Sequence, residues 1–256
     1  MNLSFRQVAD PMHQFEVKKL IEIGPIGGLD LSFTNASFYM LLGCVLIVAF
    51  FGMAASRGKL VPSRMQSVAE IGYGFVADMV RGAAGEEGLK FFPFVFTLFF
   101  FVFFANMIGM VPYAFTTTSH VIVTGVLAML VISIVIVYGF MKNGLKFFKL
   151  FAPAGAPWPI YILLVPIEVI SFIARPVTLA LRLFANMLAG HIMLKLFAGF
   201  AVTLATLGGA YIVIAPLAFA MGVALNALEF LVAGLQAYVF AILTCVYLND
   251  ALHPAH

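Results

Sequence analysis

Charge is what this chain has least of. Of its 256 residues, 10% are Asp, Glu, Lys or Arg and 63% are hydrophobic. A soluble domain carries roughly 25% charged residues, so the balance excludes that class and predicts a polytopic membrane protein. The net charge is only +3, and the basic residues scatter in short clusters. They read as topology signals and exclude a nucleic-acid face. Cysteine is scarce too. Cys44 and Cys245 both lie in apolar runs, so no metal or redox spacing exists. No phosphate-binding glycine loop is present: the stretch 82–90 is glycine-rich but ends in Gly-Leu-Lys. The chain is therefore expected to bind no nucleotide and no cofactor. The alternating segments of about ten residues that mark a membrane barrel are also missing, which leaves helices as the spanning elements. No internal repeat is evident by eye, and that weighs against an inverted-repeat transporter.

What is there is long apolar runs. Residues 1–32 are mixed in character, hold no run suited to a cleavable signal peptide, and read as an N-terminal extramembrane segment. The first span is expected over 33–55, followed by Arg57, Lys59 and Arg64. Residues 62–83 recur apolar at three and four, which predicts an amphipathic helix in the headgroup plane or on a partner. A loop is expected over 82–88. The Phe-rich second span, 91–111, has Asn106 as its polar exception, and the loop 112–120 carries no Lys or Arg. The third span, 121–141, precedes Lys142, Lys146 and Lys149 and a Pro/Gly loop at 152–159. The basic loops are cytoplasmic by the positive-inside rule, which places the N-terminus outside if the amphipathic helix does not cross. Two apolar segments remain, 158–200 and 211–248. Forty helical residues reach about 60 Å, against a hydrocarbon core of about 30 Å. Each must be broken or strongly tilted. Pro176 and Pro216 are candidate kinks, and Gly208-Gly209 a candidate turn.

The first long segment holds an unusual stretch, 175–195, which reads RPVTLALRLFANMLAGHIMLK. Charged groups inside a membrane segment are expensive and mark function by default. Arg182 has only apolar flanks, with Thr178 a weak neutral acceptor one turn earlier. An arginine at mid-bilayer costs from about 3 to over 10 kcal/mol, so something outside the stretch must compensate. Glu168, Arg175 and Arg182 are spaced by seven and seven and share one helical face; Asn186, four past Arg182, is near it. His191 lies about half a turn round and points elsewhere. On the last segment Glu229 and Gln236 are again seven apart. If the two helices pack antiparallel, His191 and Glu229 can pair. Plainer readings stand beside these. Glu168 and Arg175 also fit a structural ion pair, Asn186 and Gln236 fit interhelical hydrogen-bond glue, and His191 fits a satisfied buried histidine. Lys195 fits a snorkelling side chain. Asn106 and 116–120 fit either a polar entry or helix caps. Arg182 has the weakest structural reading, since only Glu168 and Glu229 are available to it. A fixed charge that keeps its proton at any physiological pH, beside titratable groups on a second face, suits ion movement.

The run LRLFANMLAGH, residues 181–191, resembles the signature of subunit a of the F-type ATP synthase. GLQAYVFAILTCVYL at 234–248, DPMHQFE at 10–16 and NMIGMVPYAF at 106–115 are similar to it as well. The resemblance covers nearly the whole chain. It implies an all-α polytopic membrane protein, with about five membrane helices, one interfacial amphipathic helix, and the last two helices long and tilted along a ring of c subunits. Arg182 matches the family's essential stator arginine, facing the rotor carboxylates. Asn186 and Gln236 match its polar neighbours. His191 and Glu229 stand where many bacterial members have Glu and His, a swap that resembles the mitochondrial and alphaproteobacterial branch. Glu168 and Arg175 match positions on the cytoplasmic approach. The implied function is proton conduction through two offset half-channels, coupled to rotation and ATP synthesis. The implied partners are the c-ring, the subunit b peripheral stalk, the whole F1Fo complex and membrane lipid, in a bacterial inner membrane with the N-terminus periplasmic and the C-terminus cytoplasmic. The rival reading is a stand-alone proton-coupled transporter or channel using the same buried charges.

Overall fold

A computed structural model describes residues 16–21, 25–26, 29–30, 32–56, 62–111, 114–151, 158–207 and 213–252. The stretch 10–15, Arg57, Lys59, Pro112, most of the 152–159 loop, Gly208-Gly209 and the tail from 253 lie outside the described residues. Ahead of the helices are short antiparallel ribbons that the sequence reading did not anticipate. Strand β1 (Lys19–Ile21) pairs with β4 (Phe33–Thr34), and β2 (Pro25–Ile26) with β3 (Leu29–Asp30). Asn35 ties this segment to the first helix, donating from Nδ2 to the Glu16 carbonyl and accepting at Oδ1 from the Lys18 amide.

Most of the remaining described residues are helical. Helix α1 runs Asn35–Ala55, and Thr34 caps it by accepting from the Ser37 amide. Helix α2, Arg64–Gly88, is capped by Ser63. It turns at Gly85, whose φ of 67° suits glycine best, so the expected loop over 82–88 shrinks to a break at one residue. Val76, Met79, Val80 and Ala84 form its buried face, while Val68 and Ile71 stay exposed. Helix α3 is Phe92–Gly109, with Pro93 in its first turn, where a missing N–H leaves no helical bond unmade. Its phenylalanines pack edge-on or tilted against one another and against Phe51 of α1 and Phe75 of α2. After a one-turn 3-10 segment at Thr117–Ser119, α4 runs Val121–Asn143.

Helices α5, Trp158–Leu207, and α6, Ala215–Leu252, are 50 and 38 residues long. Both run past the C-terminal limits read from the sequence, to 207 and 252 instead of 200 and 248, while α6 begins at 215 instead of 211. Neither is broken by its prolines. Pro166 and Pro176 sit inside α5, each removing one backbone bond, and apolar surroundings keep the remaining ladder intact. Pro216 is the second residue of α6, where it opens the helix and cannot kink it. Helix α6 packs against α2, α3, α4 and α5 together. Among the described residues, five helical stretches are long and apolar enough to cross a membrane: α1, the α2–α3 stretch, α4, α5 and α6.

Candidate functional site

The site follows the antiparallel seam between α5 and α6. As α5 advances from residue 175 to 191, its partners on α6 retreat from 250 to 229. Arg175 Nη1 donates to Asp250 Oδ2 at 2.7 Å, and its other terminal nitrogen lies 3.7 Å from Glu168 Oε1. The guanidinium stands over the rings of Phe172 and Tyr247, 5.9 and 5.3 Å from their centroids. Further along, Asn186 Nδ2 donates to Gln236 Oε1 at 2.9 Å. Near the far end, His191 Nε2 lies 3.7 Å from Glu229 Oε1, with both side chains buried.

Arg182 stands between these contacts and shares in none. It is exposed on the outer face of α5 and makes no hydrogen bond or ion pair among the described residues. The carboxylates that might have answered it are taken: Glu168 and Asp250 face Arg175, and Glu229 faces His191. The half-turn between Arg182 and His191 lets one helix present the first outward and bury the second.

A polar cluster surrounds the His191 end. Asn106 of α3 is fully buried; its Nδ2 donates to the Ala233 carbonyl of α6 at 3.0 Å, and its Oδ1 accepts from Thr118 Oγ1 at 2.8 Å. It thus ties α3, the 3-10 turn and α6 together and caps no helix. Thr116 Oγ1 lies 3.0 Å from His191 Nε2 and 3.3 Å from the Gly109 carbonyl. His120 stacks on Phe115 at 4.9 Å, and burial holds its imidazole below its ordinary value. Lys195 is half-buried one turn beyond His191.

Glu168, Arg175, Asn186, His191, Glu229 and Gln236 fall on this seam, Arg182 stands on the outer face of α5, and Asn106 and 116–120 flank the seam from α3 and the 3-10 turn. The sequence reading missed Asp250, just beyond the last segment it drew at 211–248, although 229, 236, 243 and 250 continue one heptad row. It also missed Gly190. A Cβ there would come within 2.6 Å of Glu229 Oε1, so glycine is what lets the carboxylate lie against α5.

The family model of the ATP synthase A chain matches residues 37–249. The chain belongs to the ATP synthase A chain family. "ATP synthase subunit a" of Hyphomonas neptunium is 77% identical over 244 residues, covering 95% of this chain and 96% of the relative. The subunits of the same name from Mesorhizobium japonicum and Maricaulis maris are 60% and 59% identical, each covering 96% of this chain and 98% of the relative. This family member is the proton-conducting stator subunit of an F-type ATP synthase, a multi-pass protein of the bacterial membrane, similar to alphaproteobacterial subunits a. Membership removes the stand-alone transporter from consideration.

Proposed function

We propose that Arg182 is the fixed charge facing the c-ring carboxylates, and that the polar groups on either side of it are two offset half-channels. The observation that carries this is an exposed arginine with no partner of its own, placed between two polar clusters on one helix. His191 lies about 13 Å beyond it along the axis, and Arg175 about 10 Å before it. An arginine left against lipid would cost at least about 3 kcal/mol, so a rotor carboxylate from another subunit fits the place.

The steps follow from charge. A proton enters from outside through the cluster of Asn106, Thr116 and Thr118, reaches His191 and Glu229, and passes to a rotor carboxylate. Once neutral, that carboxylate can turn through lipid. Arriving opposite Arg182 from the other side it is driven to ionise, because an adjacent guanidinium favours the charged form. Its proton leaves inward past Glu168, Arg175 and Asp250. Arg182 does not deprotonate, so it separates the two paths without carrying protons itself. Asn186 and Gln236 bridge α5 and α6 one turn beyond it. Each charge crossing 100 mV releases about 2.3 kcal/mol, so several are needed per ATP.

The assembly is read accordingly. The whole chain is one membrane domain with a periplasmic N-terminus and a cytoplasmic C-terminus, and it meets the c-ring, the subunit b stalk and lipid. A 50-residue helix is about 75 Å long, far more than the roughly 30 Å hydrocarbon core, so α5 lies steeply inclined along the ring. The test is ATP-driven proton pumping in inverted vesicles carrying Arg182→Ala, with assembly measured on the same membranes. Assembled but silent vesicles are expected. Pumping near the unmutated level would make Arg182 structural and end this reading.

A further inference from the structure

The proposed inlet leaves one contact unexplained: the hydroxyl wedged between a backbone carbonyl and the imidazole. A threonine hydroxyl carries one proton. Gly109 ends α3, and the Thr116 hydroxyl is placed to donate to its carbonyl. When it does so, the hydroxyl oxygen can only accept from His191, and Nε2 must carry a hydrogen. The surroundings agree, since Glu229 Oε1 faces that same nitrogen at 3.7 Å and neither Glu229 oxygen has a hydrogen-bond partner among the described residues. A bare nitrogen lone pair there would repel a carboxylate. When the ring carries a proton on both nitrogens and Nε2 gives its own to Glu229, the carboxylate becomes a carboxylic acid and a neutral imidazole remains, protonated at Nδ1 and bare at Nε2. The hydroxyl can then rotate from the Gly109 carbonyl to donate to that nitrogen, so one side chain serves both states at nearly the same geometry.

The backbone is arranged for this approach. A Cβ on Gly109 would stand 2.7 Å from Thr116 Cγ2 and 3.0 Å from its Oγ1. Any larger residue at 109 would push the threonine off its seat. Ser119 Oγ donates to the Thr116 carbonyl at 2.6 Å, Thr118 is held by Asn106, and Thr116 itself is fully buried. Thr116 is therefore held from its C-terminal side and by burial, with its hydroxyl left free to turn.

We propose that Thr116 is a positioning residue for His191, holding the imidazole Nε2 toward Glu229 in both of the ring's protonation states by accepting from Nε2–H or donating to the bare nitrogen. The inference rests on His191 and Glu229 forming the inlet. The charged groups acting on the ring are Glu229 from α6 and Lys195 on α5 itself.

The experiment uses the whole complex in inverted vesicles, with subunit assembly quantified for each variant. After removal of the catalytic sector, passive proton conduction under a potassium diffusion potential is measured for Thr116→Val, Thr116→Ser, His191→Gln and the Thr116→Val/His191→Gln pair. Valine keeps the shape and serves neither state of the nitrogen, so conduction should fall about ten-fold. Serine keeps the hydroxyl and should stay within about two-fold of the unmutated complex. The double variant should conduct no less than His191→Gln alone, because the two residues act as one unit. If the valine variant does not assemble, Thr116→Ala, which removes the hydroxyl without adding bulk, should show the same loss. Normal conduction in the valine or alanine variant overturns the inference, as does serine failing like valine, which would make the methyl group the important part. So does a double variant showing the product of the single losses. If His191→Gln itself conducts normally, the inlet reading fails and takes this inference with it; a damaged His191→Gln beside an intact Thr116→Val sinks the inference alone.

Discussion

The most apolar stretches of α5 and α6 have mean hydropathies of 1.9 and 2.0, yet 6% of the first and 50% of the second is buried inside the chain. Composition does not separate the two helices; packing does. Helix α6 carries Ala233, Ala237, Ala241 and Cys245 at every fourth place, all fully buried. Small residues in such a row let neighbouring backbones come close, and close packing is the main driving force available between helices in lipid. Helix α5 buries Leu179, Leu183 and Met187 and turns Leu181, Met193 and Phe200 outward. One helix is the inner post of the bundle and the other is its presenting face. An arginine on the buried side of α6 would be sealed in, whereas on α5 it is offered to whatever passes.

The comparison breaks most visibly by cutting the same side chain from each helix. Phe240 of α6 is fully buried and Phe200 of α5 is 51% exposed. Lipid tails are as apolar as a phenyl ring, so the transfer part of a Phe→Ala change is small in both places and the cavity part decides. For Phe240→Ala the void costs about 2 kcal/mol, by the usual cost per unit of cavity volume. Phe200→Ala opens no enclosed void. The temperature at which the detergent-extracted complex sheds this subunit should drop clearly for Phe240→Ala and hardly at all for Phe200→Ala. Equal drops would mean that α6 is not the packed member of the pair.

A smaller effect is expected where the two helices meet. Gly190 and Gly199 both lie on α5. A Cβ at 190 would strike the Glu229 carboxylate at 2.6 and 2.7 Å, whereas at 199 it meets nothing within 4 Å. Gly190→Ala should push Glu229 away from His191 and lower passive proton conduction about ten-fold in an assembled complex, since displacements near 1 Å are enough to cost that much. Gly199→Ala should conduct normally. A normal Gly190→Ala would show that the close approach of Glu229 to α5 does not matter for conduction.

These residues also mark what could be read in advance. The helices and their order were legible because apolar length and basic loops are one-dimensional signals. So was the opposed placement of Arg182 and His191 on α5, which needs only the angle per residue; which of the two faces outward depends on packing. The uninterrupted course of α5 past Pro166 and Pro176 was not legible, because proline's penalty depends on what surrounds the freed carbonyl. Asp250 was passed over because it lies past the end of the apolar run, and only the antiparallel register brings that end of α6 to Arg175. Thr116 could not be matched to His191 at all. Their 75-residue separation is closed by Gly109, Asn106 and a single 3-10 turn, and sequence spacing says nothing about that closure.

The smallest effect belongs to an ion pair off the seam. Lys142 Nζ and Glu87 Oε2 are 2.5 Å apart, a shorter contact than the 2.7 Å of Arg175 and Asp250 on the α5–α6 seam. Distance alone would rank the first pair higher. Exposure reverses the order: the Lys142 and Glu87 side chains are 33% and 55% exposed, against 20% and 31% for Arg175 and Asp250. Water and salt screen the outer pair, and holding two long side chains together costs entropy. Glu87→Gln should therefore change the stability of the assembled complex by about 0.5 kcal/mol or less, with the residual effect fading as salt is raised. Melting of the complex at low and high ionic strength measures this. A large, salt-insensitive loss would mean that the break at Gly85 depends on Lys142 to dock the end of α2 against α4, and that the bundle has a second seam away from α5 and α6.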